Sequence, residues 1–153
     1  IAAGRLDLDH IRAEPRERFA KQRPGMTVEE VAAVFHQNLR VLMFANSANI
    51  DALAIHLQAE NIKRARFRSR PFATSDGLAK ALAHVTAPLR TIWGREDIIA
   101  RGSLEARLEI MRQHHSELEV RLLDKAGHWV AYEAADRFNA ALLELLSTVG
   151  RKS

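Results

Sequence analysis

Two short apolar runs with a helical stretch between them constrain this chain more than any other feature. Leu89-Arg90-Thr91-Ile92-Trp93 stops abruptly at Gly94, and Leu118-Glu119-Val120-Arg121-Leu122-Leu123 stops just before the Asp124-Lys125-Ala126-Gly127 turn. Between them, Leu104, Leu108 and Met111 recur at the spacing that lines one face of a helix running from Leu104 to His114. A strand, a helix and a second strand imply two parallel strands joined by a right-handed crossover. A final helix, about Ala134 to Ser147, carries Phe138, Ala141, Leu142 and Leu145 toward the interior. Parallel sheets want helices on both faces and further strands at their sides. The pattern therefore predicts an α/β fold in which these two strands belong to a larger sheet.

The preceding half is helical in pattern. Thr27-Val28-Glu29-Glu30 has the composition of a capping box, and the helix it opens runs to about Phe44, with Val31, Val34, Phe35, Leu39 and Leu42 on one stripe. Asn46 to Asn49 breaks that helix. Asn49 is expected to cap a second, carrying Leu53, Ile55, Leu57 and Ile62 to about Phe67. After Pro71 and the Thr74-Ser75-Asp76-Gly77 turn, a short helix is expected from Gly77 to His84. At the start of the chain, Ile1-Ala2-Ala3-Gly4 reads as the tail of a strand, and Arg16 to Lys21 as a short helix. The chain divides at about residue 85. Residues 1–85 hold the strand end and the helices, and 86–153 hold the strand–helix–strand–helix unit of an α/β core.

Composition narrows the class. Hydrophobic residues make up 47% of the 153 positions and charged residues 27%, as in globular proteins. No run approaches the length of a membrane span, so no membrane partner is expected. The absence of cysteine removes disulfides, thiolate metal sites and cysteine nucleophiles, and fits a reducing, cytoplasmic setting. The net charge of +4 raises the question of nucleic acid. Its densest basic stretch, Lys63-Arg64-Ala65-Arg66-Phe67-Arg68-Ser69-Arg70, reads as a solvated helix end, where cations complement the helix dipole. No nucleic-acid partner is expected from it.

The chemistry sits where the two apolar runs end. The first delivers Asp97, three residues past Gly94, and the second delivers His128, directly after Gly127. A carboxylate and an imidazole at the ends of strands joined by a helix are two members of a nucleophile–His–acid triad. His128 would be the general base and Asp97 the acid that orients it. The ordinary alternatives are a surface-turn histidine and an Asx-turn aspartate, with Glu96 a competing acid and Asp124 too close to His128 to be the first choice. Trp129 would either wall the substrate pocket or pack against the last helix near Tyr132. Phe35, Leu39, Met43 and Phe44 could roof an apolar pocket, and Arg64, Arg66 and Arg68 could meet a substrate carboxylate. The third member, a nucleophile on a tight strand-to-helix turn, is expected earlier in the chain. No Gly-x-Ser-x-Gly occurs, and the sequence opens on Ile1. The expectation is a C-terminal portion that lacks the nucleophile and does not turn over alone.

The sequence resembles the α/β-hydrolases. The resemblance rests on Ala87-Pro88-Leu89-Arg90-Thr91-Ile92-Trp93-Gly94-Arg95-Glu96-Asp97 for the acid turn. It rests equally on Ala126-Gly127-His128-Trp129 and Tyr132-Glu133-Ala134-Ala135-Asp136-Arg137-Phe138-Asn139 for the histidine turn and last helix. The Trp-Gly-Arg-x-Asp turn and the His-Trp leading into Glu-x-Ala-Asp-x-Phe-Asn are most similar to the carbon–carbon bond hydrolases, which cleave ring-fission products of aromatic degradation. The resemblance implies a helical cap inserted after the sixth strand, which residues 1–4 and the helices to about residue 70 would match. It also implies a small-molecule substrate containing an ester, lactone or carbon–carbon bond. Relatives often carry a Pro shortly after the acid, where this chain has Ile98-Ile99-Ala100-Arg101. No cofactor and no metal are expected, since no His-Glu-x-x-His and no Gly-rich phosphate loop appear. Two alternatives stay open: a dehalogenase or epoxide hydrolase with an Asp nucleophile, and a non-enzymatic basic helical binding module. The oligomeric state is not fixed by the sequence.

Overall fold

The computed structural model describes residues 19–67 and 75–147. The expected strand end at Ile1–Gly4 lies outside these residues, as do Arg68, Arg70 and the first half of the short helix expected from Arg16 to Lys21; the described half, Phe19 to Lys21, is not helical.

The first helix, α1 (Val28–Leu42), starts as its sequence dictates. Thr27 Oγ1 accepts from the Glu30 backbone N–H (3.3 Å) while the Thr27 N–H donates to Glu30 Oε2 (2.8 Å), so two otherwise orphaned donors are satisfied reciprocally. Val34, Phe35 and Leu39 are its buried face. A 3₁₀ turn (Ser47–Asn49) follows, then α2 (Ala52–Arg64). The cap of α2 is Asp51, whose Oδ1 accepts from the Ala54 N–H (2.8 Å), rather than the expected Asn49. The Asn46 side chain caps the 3₁₀ turn instead, and Asn49 lies within it, so the second helix begins later than its Asn-rich approach suggests. The helix also ends at Arg64, short of Phe67. Its expected inward stripe is largely outward: Leu53, Leu57 and Ile62 are exposed, and α2 buries Ala54 against Leu39, Phe44 and Ile50. Of the larger apolar residues of the expected stripe, only Ile55 packs against that cluster.

Beyond the next short helix, α3 (Gly77–Leu82), the parallel pair appears as the pattern demands. Strand β1 (Arg90–Gly94) and strand β2 (Glu119–Leu123) pair in register from Arg90 with Glu119 to Gly94 with Leu123. Helix α4 (Leu104–His114) makes the crossover and buries Leu108. Each strand is displaced by one residue at its start from the apolar run that predicts it. After β2 the chain makes a helix that the pattern did not show, α5 (Val130–Glu133), before the last, α6 (Ala135–Ser147). Helix α6 packs on both strands, and α5 on β1. In α6, Ala141 and Leu145 are buried, while Leu142, expected inside, is 37% exposed.

The chain is therefore a mixed α/β structure with two parallel strands among the described residues. The cluster Leu39, Phe44, Ile50 and Ala54 has Met43, Ile55, Trp129 and Tyr132 packed against it. That places the α1–α2 turn directly on the segment that carries His128.

Candidate active site

Backbone pairing does not stop where the strands do. The Arg95 N–H donates to Leu123 O (2.9 Å) and the Glu96 N–H to Ala126 O (3.0 Å), so the two post-strand loops continue side by side. Gly94 makes that possible. A Cβ there would fall 2.3 Å from both Ala126 O and Gly127 O, closer than any side chain tolerates. Lys125 takes a positive φ of 53° to turn the chain back after β2.

This juxtaposition brings the two expected residues together. His128 Nδ1 lies 2.9 Å from Asp97 Oδ2, and because a carboxylate only accepts, the imidazole proton sits on Nδ1. Asp97 is 4% exposed. Its other oxygen, Oδ1, accepts from the Ile99 N–H (2.8 Å) in an Asx turn. The Asx-turn and histidine-orienting descriptions of Asp97 are thus compatible, one for each oxygen. No hydrogen-bond partner occupies His128 Nε2 among the described residues. The competing acids are engaged elsewhere: Glu96 Oε1 accepts from the Lys125 N–H (3.1 Å), and Asp124 pairs with Arg95 Nε at 2.6 Å.

A buried guanidinium stands behind the acid. Arg107 is 7% exposed, and its Nε donates to Ser103 Oγ (2.9 Å). Burial lowers its pKa from the ordinary value, and the negative charge of Asp97 opposes that shift. Sequence reasoning missed Arg107, since nothing in a helical Ser-x-x-x-Arg spacing says that the arginine points inward. It also gave Glu133 no role.

Trp129 packs against Phe44 and Tyr132, with ring centroids 5.7 and 6.0 Å away, and it also borders the main cavity. Of the two descriptions offered by the sequence, the packing near Tyr132 is observed. The cavity, about 670 Å³, is apolar and touches Asp97, Arg107 and His128. Every residue from Leu89 to Gly94 lines it, so it runs along the backbone edge of β1 that is not paired with β2. The expected roof residues Phe35, Leu39, Met43 and Phe44 do not line it: Leu39, Met43 and Phe44 form or support the core beneath the α1–α2 turn, and Phe35 is buried on α1; Leu57 and Asn61 contribute instead. Arg64 pairs with Glu60 at 2.8 Å, and neither it nor Arg66 reaches the cavity. Among the described residues, no three His, Asp or Glu side chains converge as metal ligands. No helix there is long and apolar enough to cross a membrane.

An acid and a histidine at adjoining strand ends fit a family of hydrolytic enzymes, and the chain's relatives are such enzymes. Over part of its length this chain is similar to carbon–carbon bond hydrolases of meta-cleavage products, which are α/β-hydrolases. Over 66 residues it is 38% identical to the 2-hydroxy-6-oxononadienedioate/2-hydroxy-6-oxononatrienedioate hydrolase 1 of Dechloromonas aromatica, covering 43% of this chain and 22% of that protein. The hydrolase of the same name from Burkholderia vietnamiensis is 35% identical over 65 residues, 42% of this chain and 22% of the relative. That of Paraburkholderia xenovorans is 30% identical over 66 residues, 43% of this chain and 22% of the relative. The chain thus spans about a fifth of the length of these curated relatives. No family model matches it.

Proposed function

We propose that this chain is the acid-and-histidine portion of a serine-type α/β-hydrolase, acting on a small molecule through cleavage of a carbon–carbon, ester or lactone bond. The observation that carries the reading is the 2.9 Å contact between His128 Nδ1 and a buried Asp97, which leaves Nε2 available. In this reading Nε2 takes the proton of a hydroxyl nucleophile and returns it to the leaving group, and Asp97 stabilises the imidazolium between those steps. The nucleophile and oxyanion donors come from the remainder of the fold. Residues 86–153 are the C-terminal part of its core, and α1 and α2 belong to its cap. The groove along β1 is then the seat of neighbouring strands rather than a substrate chamber. A substrate site would be bordered by strand ends, whereas this groove follows the whole length of one strand. Trp129 lies where it can border the substrate beside His128.

A chimera tests the proposal. The Dechloromonas aromatica hydrolase, with its C-terminal segment replaced by residues 86–153 of this chain, should retain cleavage of 2-hydroxy-6-oxononadienedioate. In that chimera His128→Ala should lower kcat by at least about 10³-fold, and Asp97→Asn by a similar order. The 153-residue chain alone should show no turnover of p-nitrophenyl acetate. A folded chimera in which His128→Ala changes nothing would overturn the assignment, as would esterase activity of the isolated chain that depends on His128.

A further inference from the structure

Glu133 is the last residue of α5, and its carboxylate is the meeting point of two distant segments. Oε2 accepts from the Gly127 N–H (2.6 Å) and the Ala45 N–H (3.0 Å). Oε1 accepts from the Asn46 N–H (2.8 Å) and from Asn49 Nδ2 (3.3 Å). A carboxylate offers about four acceptor sites and no donor, so these four bonds saturate it. Gly127 immediately precedes His128, while Ala45, Asn46 and Asn49 form the turn between α1 and α2.

The same two segments touch directly. The Trp129 N–H donates to Met43 O (2.9 Å), so one backbone bond ties the turn to the residue after His128, while the Glu133 carboxylate ties it to the residue before. A Cβ on Gly127 would lie 2.7 Å from Ala45 N and from Met43 O, which shows how closely the chains approach. On the opposite side, Gly94 admits Ala126 and Gly127 against the end of β1. The residues before His128 are therefore held between two backbones, and Glu133 closes the outer one.

We propose that Glu133 is the positioning residue of the Asp97–His128 pair: it fastens Gly127 to the Met43–Asn49 turn, so that the placement of the α1–α2 hairpin sets the orientation of the imidazole. The proposal rests on the reading of Asp97 and His128 as an acid–base couple. It gives the helical hairpin a mechanical line to the base, since a shift of the turn moves the donors of Glu133 and, through them, Gly127.

The test is NMR of the full ¹⁵N-labelled chain, following the His128 Nδ1–H resonance, the imidazole tautomer and exchange of the Gly127 amide. In the unmodified chain one Nδ1–H tautomer bound to Asp97 is expected, and Asp97→Asn should abolish its signal. Glu133→Gln keeps the size but places an NH₂ against backbone donors. It should attenuate the Nδ1–H resonance, mix the tautomers and speed Gly127 exchange by about tenfold or more. Tyr132→Phe removes the neighbouring bond between α5 and the start of α2 without touching Gly127, and should leave the imidazole signals unchanged. Imidazole signals that survive Glu133→Gln, or that are lost equally in Tyr132→Phe, overturn the proposal. If Glu133→Gln does not fold, Asn49→Ala, which removes one of the four donors, must move the tautomer ratio in the same direction by less; indifference there overturns it too. An Asp97→Asn chain with unchanged imidazole signals refutes instead the acid–base reading, whatever Glu133 does.

Discussion

At the scale of single residues, the candidate site separates into side chains whose role is local and side chains whose role depends on distant partners. Asp97 and His128 were legible in the sequence because each stands at a fixed offset from a glycine at the end of an apolar run. Arg107 and Glu133 were not, because neither helical spacing nor residue type states which remote group a long side chain will meet. Tyr132 belongs with the second kind and supplies a direct measurement. Its hydroxyl donates to Asp51 Oδ1 at 2.6 Å. Burial, then this hydrogen bond, then the Asp51 charge raise the tyrosine pKa to about 12 from 10.0. A folded-state pKa raised in this way stabilises the fold fully below the unfolded value. That contribution is lost as pH climbs from about 10 through about 12. Asp51 is shifted oppositely, its pKa lowered chiefly by the Tyr132 hydroxyl and then by the Ala54 N–H. Its contribution is present above about pH 4 and disappears as pH falls through the depressed value. Because Tyr132 is the only tyrosine in the sequence, the ultraviolet phenolate signal reports on it alone. The midpoint should lie near pH 12, and Asp51→Asn should bring it part of the way back toward 10.0, since burial remains. An unshifted midpoint in the unmodified chain would contradict the geometry.

At the scale of elements, local signals decided starts better than ends and faces. The capping box of α1 lies where Thr27 and Glu30 indicate, because both halves of the box are contained within four residues. Its contribution can be measured in isolation. Thr27→Ala removes the acceptor for the Glu30 N–H and should cost about 1 kcal/mol, read as a lower midpoint in urea unfolding with an unchanged slope. Helix α2 went the other way. Its apolar residues recur at helical spacing, yet Leu53, Leu57 and Ile62 are exposed, and the contact with the core is made by Ala54 and Ile55. Periodicity identifies an apolar stripe without saying what it packs against. The short α5 was missed for a related reason: a helix of four residues is too brief to show a period, and it exists because the backbone must pass from the His128 turn onto the sheet.

At the scale of the whole molecule, the parallel pair is covered by α6 but has a free edge among the described residues. The groove along β1 is lined by Leu89, Ile92, Phe138, Leu142 and Leu146 among others, and Leu143 and Leu146 on α6 are themselves 68% and 55% exposed. An apolar surface of this extent beside an open strand edge is a site for association. The isolated chain should therefore bind anilinonaphthalene sulfonate with a strong rise in fluorescence. Ile92→Lys, which places a charge on the edge strand, should suppress that rise while leaving the far-ultraviolet circular dichroism unchanged. Dye binding that is weak, or indifferent to this substitution, would show that the groove is already closed.

The sequence by itself determined the strand–helix–strand unit, its parallel sense and the two polar residues at its ends, because period, glycine position and crossover handedness are local or nearest-neighbour properties. Only the tertiary structure decided that Asp97 Oδ2 and His128 Nδ1 come within 2.9 Å, and that Arg107 turns inward. It alone joined Glu133 to donors 84 to 88 residues away. Such contacts depend on how closely backbones approach, which Gly94 and Gly127 permit but do not direct. Long-range approach is fixed by the packing of the whole chain.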